Sequence, residues 1–394
     1  MSKILLLTSW GSALPHVIGG YARALIKAGH EIKLADMSVF GKKEYASVAG
    51  QLGTEFIRTV KEFAPDLAVF YGTQGIINID GYAPHLFESL GIPFMSLFYD
   101  NPLLYFQELD KSLFASLLSS ENYSVSVSDR IYIDRLRAIG FRRICFLPLA
   151  TEEELFNENS GSNAFDCEVS FVGSIEDNPL SVRQKRQQRL ARFPTVNKFL
   201  DDMLDIAETP LTSDIMPKMQ PLTSQMPWDV EALIFRVVYE ESSTLYRVAY
   251  VSAVKDRIVN VYGSSAWERV VKDNIVYKGY LDYADNAGKL YRGSNINLNI
   301  THPQLVTAIN QRVYDVSLCG GFVLSDYRND LVEFFDDAAV YYKNIDDMNN
   351  KIDYFLKNGA ERKDMSARMQ EIVRKNHLWK HRAETLIEFV KGAA

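Results

Sequence analysis

The feature that most constrains the fold of this 394-residue chain is the alternation of short apolar runs with amphipathic stretches of helical periodicity. Apolar runs such as 4–8 and 67–71 are each followed by a segment that ends at Gly or Pro. Strands that are apolar throughout are buried on both faces, and the helices between them serve as crossover connections. The rhythm therefore predicts an α/β protein built on parallel sheets.

The rhythm occurs twice, and a polar run at 157–163 with the composition of a linker separates the two occurrences. We expect two Rossmann-like domains, 1–156 and 164–375, with ligands bound at the carboxyl ends of the strands in a cleft between them. A C-terminal helix within 376–394 is expected to pack back on the N-terminal domain. The predicted strands are 4–8, 31–36, 67–71, 93–98, 124–127 and 144–147 in the first half, and 167–172, 258–262, 275–278, 296–300, 322–325 and 340–342 in the second.

A segment at about 194–243 interrupts the second occurrence of the rhythm. It holds four X-Pro dipeptides, at residues 209–210, 216–217, 220–221 and 226–227, and four of the ten methionines lie nearby. Proline ends or kinks helices, so we predict a helical insertion with an irregular centre. Two roles stay open for it: a covering or packing element, or a surface for an acceptor or for oligomer formation.

Composition excludes several classes of protein. An apolar fraction of 47% and a charged fraction of 24% are typical of globular proteins, and a net charge of −7 provides no global basic surface for nucleic acid. The three cysteines lack the spacing of a metal or redox site. The N-terminus resembles a buried first strand rather than a signal peptide, and no apolar run is long enough to span a membrane. We expect a cytoplasmic protein.

The most informative stretch for function is 297–327. It predicts a strand, a loop, a helix that begins near Asn310, and a second strand entered through Gly320-Gly321. The N-terminus of a helix offers backbone N–H groups to anions, and Arg312 adds a cation suited to a diphosphate. Asp315 follows about one turn later, where a carboxylate can accept ribose hydroxyls. The order predicts a sugar-nucleotide site.

Several segments along the chain resemble a known family. They are Val169–Ser174, Val261–Gly263 with Trp267, Tyr291–Ile300, Asn310–Asp315, Cys319–Gly321 and Ser325–Tyr327, with Phe98–Pro102 and Phe146–Ala150 in the first half. Together they resemble the GT-B glycosyltransferases, most closely the spore-maturation-type enzymes with a "glycosyl transferases group 1" domain. The family usually has Glu where this chain has Asp315.

The resemblance implies a GT-B fold and transfer of a sugar from a nucleotide diphosphate-sugar donor to a hydroxyl of a protein, a polysaccharide or another glycan. It implies neither a metal nor another cofactor. The donor residues carried over from the motifs are Gly173, Ser174, Arg183, Tyr280, His302, Asn310, Arg312, Asp315 and Gly320. Arg312 and Arg183 would stabilise the leaving diphosphate, and Tyr280 lies in the loop that would recognise the base.

Two residues of the first half are candidate general bases. His16 lies in the first strand-to-helix loop, and its ordinary pKa suits proton transfer near neutral pH. Asp100 follows the fourth predicted strand. Each would deprotonate the acceptor hydroxyl if the reaction inverts the anomeric centre.

Alternatives remain open at this point. A GT-B-type sugar-nucleotide epimerase and a non-catalytic nucleotide-sugar-binding partner protein would show the same donor motifs. A two-domain dehydrogenase is disfavoured because Gly-x-Gly-x-x-Gly does not follow the first strand. No Asp-x-Asp stands at a strand end to hold a metal ion. The donor base and sugar, the acceptor, the stereochemistry and the choice between monomer and dimer are not determined by the sequence.

Overall fold

A computed structural model describes residues 1–8, 14–37, 49–76, 81–156, 165–204, 215–270 and 272–392. The predicted linker at 157–163 and the centre of the predicted insertion, 205–214, lie outside these residues. The chain divides into two compact units, one formed by Met1–Ala150 with Leu378–Ala394 and the other by Thr151–His377. In the described part, every helix is too short or too polar to cross a membrane.

Within the described residues, the first unit has a parallel six-stranded sheet in the order β2-β1-β3-β4-β5-β6. Its strands are β1 (Lys3–Thr8), β2 (Glu31–Asp36), β3 (Leu67–Tyr71), β4 (Phe94–Phe98), β5 (Tyr123–Val127) and β6 (Ile144–Phe146). Its helices are α1 (Leu14–Lys27), α2 (Ala49–Phe63), α3 (Leu86–Ser89), α4 (Leu103–Phe106), α5 (Lys111–Ser119), α6 (Ile131–Ile139) and, from the C-terminus, α16 (Trp379–Gly392).

The central strands of the first sheet are buried on both faces, which is why they are apolar without alternation. Every residue of β3, β4 and β5 is buried. Serines within β4 and β5 are the polar exceptions, and the Tyr123 hydroxyl donates to Ser96 Oγ at 2.8 Å. The predicted parallel sheet with covered faces is confirmed.

Helix α16 packs against α1 within the first unit. Tyr21 and Trp379 have ring centroids 5.0 Å apart. A Cβ on Gly20 would lie 2.2 Å from Trp379 Cδ1, so only glycine permits this approach. Arg382 donates from Nε to the Pro148 carbonyl at 2.9 Å and from Nη2 to the Leu149 carbonyl at 3.0 Å. These hydrogen bonds fix α16 to the residues that follow β6.

The second unit has, in its described residues, a parallel six-stranded sheet in the order β12-β11-β10-β7-β8-β9. The strands are β7 (Cys167–Val172), β8 (Val259–Tyr262), β9 (Ile275–Tyr277), β10 (Ser294–Asn299), β11 (Val323–Asp326) and β12 (Tyr341–Tyr342). The helices are α7 (Pro179–Arg189), α8 (Pro194–Leu204), α9 (Ile215–Thr223), α10 (Trp228–Ser252), α11 (Gly288–Gly293), α12 (Gln311–Leu318), α13 (Asn329–Phe335), α14 (Ile345–Lys357) and α15 (Gly359–Asn376), with a π-helical turn at Tyr283–Ala287.

The register of the second sheet gathers polar residues at one edge. Asn297 pairs with Ser170 of β7 and with Val323 of β11, and Asn299 pairs with Ser325. Because these strands are parallel, their carboxyl ends meet at the same side of the sheet. The predicted order over 297–327, a strand, a helix that begins after Asn310 and a second strand, is confirmed.

The structure differs from the sequence-based expectation in three places. Residues 151–156, predicted in the first domain, belong to the second unit, since the Thr151 N–H donates to the His377 carbonyl and Phe156 packs on Tyr283 and Tyr291. Residues 228–243, placed in the predicted insertion, form the first part of α10, which runs unbroken from Trp228 to Ser252. Helices α4 and α5 were not predicted, although Asp110 caps α5 by accepting from the Ser112 N–H at 2.8 Å.

Candidate functional site

The N-terminus of α12 lies at the carboxyl edge of the second sheet. Its N-cap residue, Asn310, has an extended backbone and makes no side-chain capping bond to the helix. The Asn310 side chain points instead to Asn299 at the end of β10, where Nδ2 donates to Oδ1 at 3.0 Å. The first-turn N–H groups therefore receive no side-chain cap, and they can bind an anion.

Arg312 stands in the first turn of α12. Its Nη1 donates to Asn299 Oδ1 at 2.6 Å, and its guanidinium carbon lies 5.7 Å from the centre of the Phe171 ring. Its Nε is buried without a hydrogen-bond partner. In the described ranges, no carboxylate lies within ion-pair distance of Arg312. The guanidinium is thus oriented by a neutral amide and an aromatic ring, and its charge is available to a ligand.

A second cation, Arg247 of α10, stands near Arg312 and was missed in the sequence. Burial first, and then the Arg312 charge, lower the pKa of Arg247 to about 10. Its Nη1 donates to the carbonyl of Ser174, and its Nε is also buried without a hydrogen-bond partner. Again, the described residues place no carboxylate in an ion pair with it. Two like charges held together in this way favour an anion between them.

His302 follows β10 and lies beside this cationic pair. Its Nδ1 accepts from the Gln304 N–H at 3.3 Å, and its ring meets the Tyr239 ring edge-on with centroids 6.1 Å apart. Burial, followed by the Arg247 charge, lowers the pKa of His302 to about 3. The ring is therefore neutral at physiological pH and carries its proton on Nε2, so it can serve as a neutral donor and not as a cation.

Asp315 is fully buried, one turn after Arg312. Its Oδ2 accepts from the Tyr283 hydroxyl at 2.7 Å and its Oδ1 from Gln311 Nε2 at 2.9 Å. Burial raises the pKa of Asp315 to about 7 against these hydrogen bonds, which favour the carboxylate. A ribose hydroxyl would have to replace Tyr283 or Gln311 to reach it. The predicted ribose contact stays a prediction, and the observed contacts make Asp315 a link between α12 and the π-helical turn.

A buried network of hydrogen bonds around Asp326 stabilises the carboxyl edge of the second sheet. Asp326 accepts from the Thr301 N–H at 3.1 Å, from the Thr301 hydroxyl at 2.8 Å and from the Tyr246 hydroxyl at 3.3 Å, and it pairs with Arg328 at 2.9 Å. Buried charges are tolerated when they are paired and hydrogen-bonded in this manner. The network fixes the end of β10 from which His302 and Asn299 project.

Gly173 and Ser174 form the turn after β7. A Cβ on Gly263 would lie 2.4 Å from the Gly173 carbonyl oxygen, so the two loops approach to a distance that a side chain would prevent. The Gly173 carbonyl accepts from Trp267 Nε1 at 2.7 Å, and Ser174 Oγ accepts from the Ser264 N–H at 3.2 Å. The turn is held rigidly, and through its carbonyl Ser174 positions Arg247.

Arg183, predicted to contact the diphosphate, pairs instead with Glu241 of α10, with Nε 3.4 Å from Oε1. Its neighbours are also paired: Lys185 with Asp177 at 3.2 Å, and Arg186 with Glu241 at 2.6 Å. The basic run of α7 therefore joins α7 to α10. The predicted contact of Arg183 with the diphosphate stays a prediction, and Arg247 is the arginine that contacts the Gly173-Ser174 turn.

Two further predicted donor residues differ in their surroundings. Tyr280 is 69% exposed after β9, where a base could stack on it, and this role stays a prediction. Gly320 lies at the opposite end of α12 from Asn310, about 12 Å away for a helix of eight residues. It adopts the left-handed conformation, φ 76°, that ends the helix. Gly320 therefore ends the helix, and its predicted donor contact stays a prediction.

The predicted bases lie in the first unit. Asp100 follows β4, and its Oδ2 accepts from the Tyr105 hydroxyl at 2.9 Å and from the Tyr71 hydroxyl. Burial first, and then the Asp100 charge, raise the pKa of Tyr71 well above its usual value, so this phenol stays a donor. His16, predicted to lie in the first strand-to-helix loop, is half-buried in the first turn of α1, which begins at Leu14. Both roles stay predictions.

Among the described residues, no group of three or more His, Cys, Asp or Glu side chains is arranged to hold a metal ion. The described part of the chain therefore offers no side-chain cluster to which a metal could be assigned.

Comparison with known proteins gives a family match over part of the chain. Residues 247–388 match the model of a family described as "Glycosyl transferase-like". An uncharacterised protein of Aquifex aeolicus (strain VF5) is 26% identical over 144 residues, which is 35% of this chain and 34% of that protein. The match thus spans about a third of the relative's length.

Solved structures resemble the whole chain in fold. Sucrose-phosphate synthase from Thermosynechococcus elongatus aligns over 100% of this chain and 99% of its own, with a TM-score of 0.53 and 11% identity. T4 phage BGT, in complex with its UDP-glucose substrate, aligns over 99% of each chain with a TM-score of 0.50 and 10% identity. Such identities support the fold alone. The chain has the GT-B fold, and its residues 247–388 match the model of the glycosyl transferase-like family.

Proposed function

We propose that this protein is a glycosyltransferase that binds a nucleoside diphosphate-sugar through residues 151–377 and transfers the sugar to a hydroxyl acceptor. Arginine side chains, rather than a metal ion, would neutralise the leaving diphosphate. The acceptor class is a protein, a polysaccharide or another glycan.

One observation carries this proposal: Arg247 and Arg312 converge at the uncapped N-terminus of α12 without a carboxylate partner within the described residues. Two neighbouring cations raise each other's electrostatic energy, and a buried nitrogen without a partner costs free energy as well. A protein retains such an arrangement when a ligand compensates it. A diphosphate supplies both the charge and the acceptor oxygens.

The fold and the family match support the same reading. The cationic pair lies at the carboxyl ends of parallel strands, where α/β proteins bind nucleotides. T4 phage BGT, which shares the fold, is described with UDP-glucose as its substrate. A donor of this class fits the charge of the site in this chain.

Each residue then has a chemical part in the reaction. As the bond between sugar and diphosphate breaks, negative charge grows on the diphosphate, and Arg247, Arg312 and the α12 N–H groups stabilise it. Neutral His302 donates from Nε2 without adding charge. The acceptor hydroxyl gives its proton to a base, for which Asp100 and His16 are the proposed residues.

Binding of nucleoside diphosphates tests the proposal. Thermal shift and calorimetry with UDP, GDP, ADP and dTDP, and with their glucose conjugates, should identify at least one ligand that raises the melting temperature. Arg247→Ala and Arg312→Ala should each weaken that ligand about tenfold to a hundredfold, as expected for the loss of hydrogen bonds to a charged group. Arg257→Ala is the matched control, since Arg257 lies at the amino edge of the same sheet beside Glu168 and Asp353.

The proposal fails if the wild type binds none of these nucleotides, or if Arg257→Ala weakens binding as much as the other two variants. Incubation with the bound donor and no acceptor separates the remaining enzyme class: an epimerase would convert the sugar of the donor, whereas a transferase would release it to water at most slowly.

A further inference from the structure

Asn299 is a buried polar residue at the end of β10 that the sequence-based reading did not single out. It is 0% exposed. Its Oδ1 accepts from Arg312 Nη1 at 2.6 Å and from Asn310 Nδ2 at 3.0 Å. One side-chain oxygen thus holds the N-cap side chain of α12 and the arginine of its first turn.

The orientation of the Asn299 amide is fixed from its other side. Nδ2 donates to Ser325 Oγ at 2.9 Å and to Thr301 Oγ1 at 3.3 Å. Turning the amide over would place an NH₂ group against the guanidinium of Arg312, which has no acceptor. The backbone carbonyl of Asn299 accepts from the Tyr342 hydroxyl at 2.9 Å, which holds the main chain as well.

The chemistry of this acceptor matters because it is neutral. Arginine in protein interiors is commonly paired with a carboxylate, which cancels its charge, as Arg328 is paired with Asp326 in the same sheet. An amide oxygen offers comparable hydrogen-bond geometry without that cancellation. Arg312 is therefore fixed in place while its positive charge stays uncompensated at the helix N-terminus.

We propose that Asn299 is the positioning residue for Arg312, a neutral acceptor that fixes the guanidinium and leaves its full charge for the donor diphosphate. The proposal rests on the proposed function, because the diphosphate is the ligand that Arg312 would meet. Asn299 itself acts through Arg312 and does not touch the donor.

Replacement of Asn299 tests the two parts of the proposal separately. Asn299→Asp places a carboxylate at the same position, so Arg312 becomes part of an ion pair. We expect the affinity for UDP, or for whichever of GDP, ADP and dTDP the wild type binds most tightly, to fall about tenfold to a hundredfold. The dependence of affinity on salt concentration should also become shallower, as it does when one cation leaves a binding site. Asn299→Ala removes the acceptor and should weaken the same ligand through the loss of orientation.

Asn297 provides a matched control. It is equally buried, lies two residues earlier on the same face of β10, and its side chain makes three hydrogen bonds, none of them with Arg312. Asn297→Ala should destabilise the fold to a similar extent but leave nucleotide affinity within about threefold of wild type and its salt dependence unchanged, since additivity holds for sites without shared partners.

A double-mutant cycle decides whether Asn299 acts through Arg312. In the Arg312→Ala background, Asn299→Ala should cause no further loss of affinity. An equal loss in both backgrounds, or wild-type affinity in Asn299→Ala, would overturn the proposal.

If neither Asn299 variant folds, Ser325→Ala removes one of the two hydroxyls that hold the amide. A measurable loss of affinity with a normal melting temperature supports the proposal, and unchanged affinity opposes it. If the wild type binds none of the four nucleotides, the proposed function and this proposal both fail. If Arg312→Ala loses affinity and the Asn299 variants keep it, the proposed function stands and only the role of Asn299 is rejected.

Discussion

Asp315→Asn should flatten the pH dependence of stability that this carboxyl imposes on the protein. Burial raises the pKa of Asp315 from its ordinary 3.8 to about 7, although the hydroxyls of Thr151 and Tyr283, the Gln311 amide and the Arg312 charge all act in the opposite direction. The folded protein therefore keeps the Asp315 proton up to about pH 7, while the unfolded chain loses it near pH 3.8. Folding takes up a proton between these limits, so this group lowers the free energy of unfolding as the pH rises.

The magnitude follows from the difference between the two pKa values. About three pH units at about 1.4 kcal/mol each give a cost of about 4 kcal/mol, complete above pH 7 and absent below about pH 4. Between pH 5 and pH 8, the wild type should lose about 2–3 kcal/mol that Asp315→Asn does not lose. The asparagine keeps the size of the side chain, and the Gln311 amide can turn to accept from its NH₂ group.

Urea denaturation at pH 5, 6, 7 and 8 measures this difference, with the slope against urea serving as a check on two-state behaviour. Asp346 is a matched control, an exposed carboxylate of the same unit that pairs with Lys255 at 3.6 Å. Asp346→Asn should shift the free energy of unfolding by less than about 1 kcal/mol at every pH. Parallel pH profiles for the wild type and Asp315→Asn would refute the reasoning, because they would mean that Asp315 is ionised in the folded protein at pH 5.

Two further predictions concern stability. Arg186→Met leaves Glu241 buried with a weaker partner, Arg183, and should lower the free energy of unfolding, measured by urea denaturation, by about 3–5 kcal/mol. Adding Glu241→Gln should recover part of that loss. Full stability of the single variant would contradict the role of the pair. Gly20→Ala places a Cβ 2.2 Å from the Trp379 ring, so it should lower the free energy of unfolding by at least about 1–3 kcal/mol and alter the fluorescence of Trp379. Gly53→Ala in α2, where a Cβ meets nothing within 4 Å, should be neutral or stabilising by up to about 1 kcal/mol. Equal effects of the two substitutions would disprove the packing of α16 on α1.

Much of the fold followed from local sequence patterns. A strand that is buried on both faces has to be apolar throughout, and this signal located β3 to the residue. Helix α10 was harder to predict, since Glu241 and Arg186 are charged residues that only their mutual pairing allows in a buried position. From the sequence alone such residues are expected at the surface, and residues 228–243 of α10 fell within the predicted insertion.

Some residues of the candidate site could likewise be predicted from the sequence, and others could not. Arg312 and Asn310 were predictable because a helix N-terminus after a parallel strand attracts anions whatever the rest of the chain does. Arg247 lies towards the C-terminal end of α10, 65 residues before Arg312, in a stretch without a recognisable motif. Arg183 was chosen because it is close to the Gly173 turn in sequence, but its partner Glu241 could be known only from the packing of α7 on α10.

The sequence by itself determined the two parallel sheets, many of their helices and the helix N-terminus at Asn310 that is the predicted anion site, because periodicity, glycine and helix ends act over a few residues. Tertiary structure alone decided which charges are neutralised and which are not. Arg183, Arg186 and Arg328 receive carboxylate partners from other elements, while Arg312 receives the neutral amide of Asn299 and Arg247 a carbonyl oxygen. Whether the charge of an arginine is neutralised depends on the groups that folding brings to it, and the separation of residues along the chain does not show which groups these are.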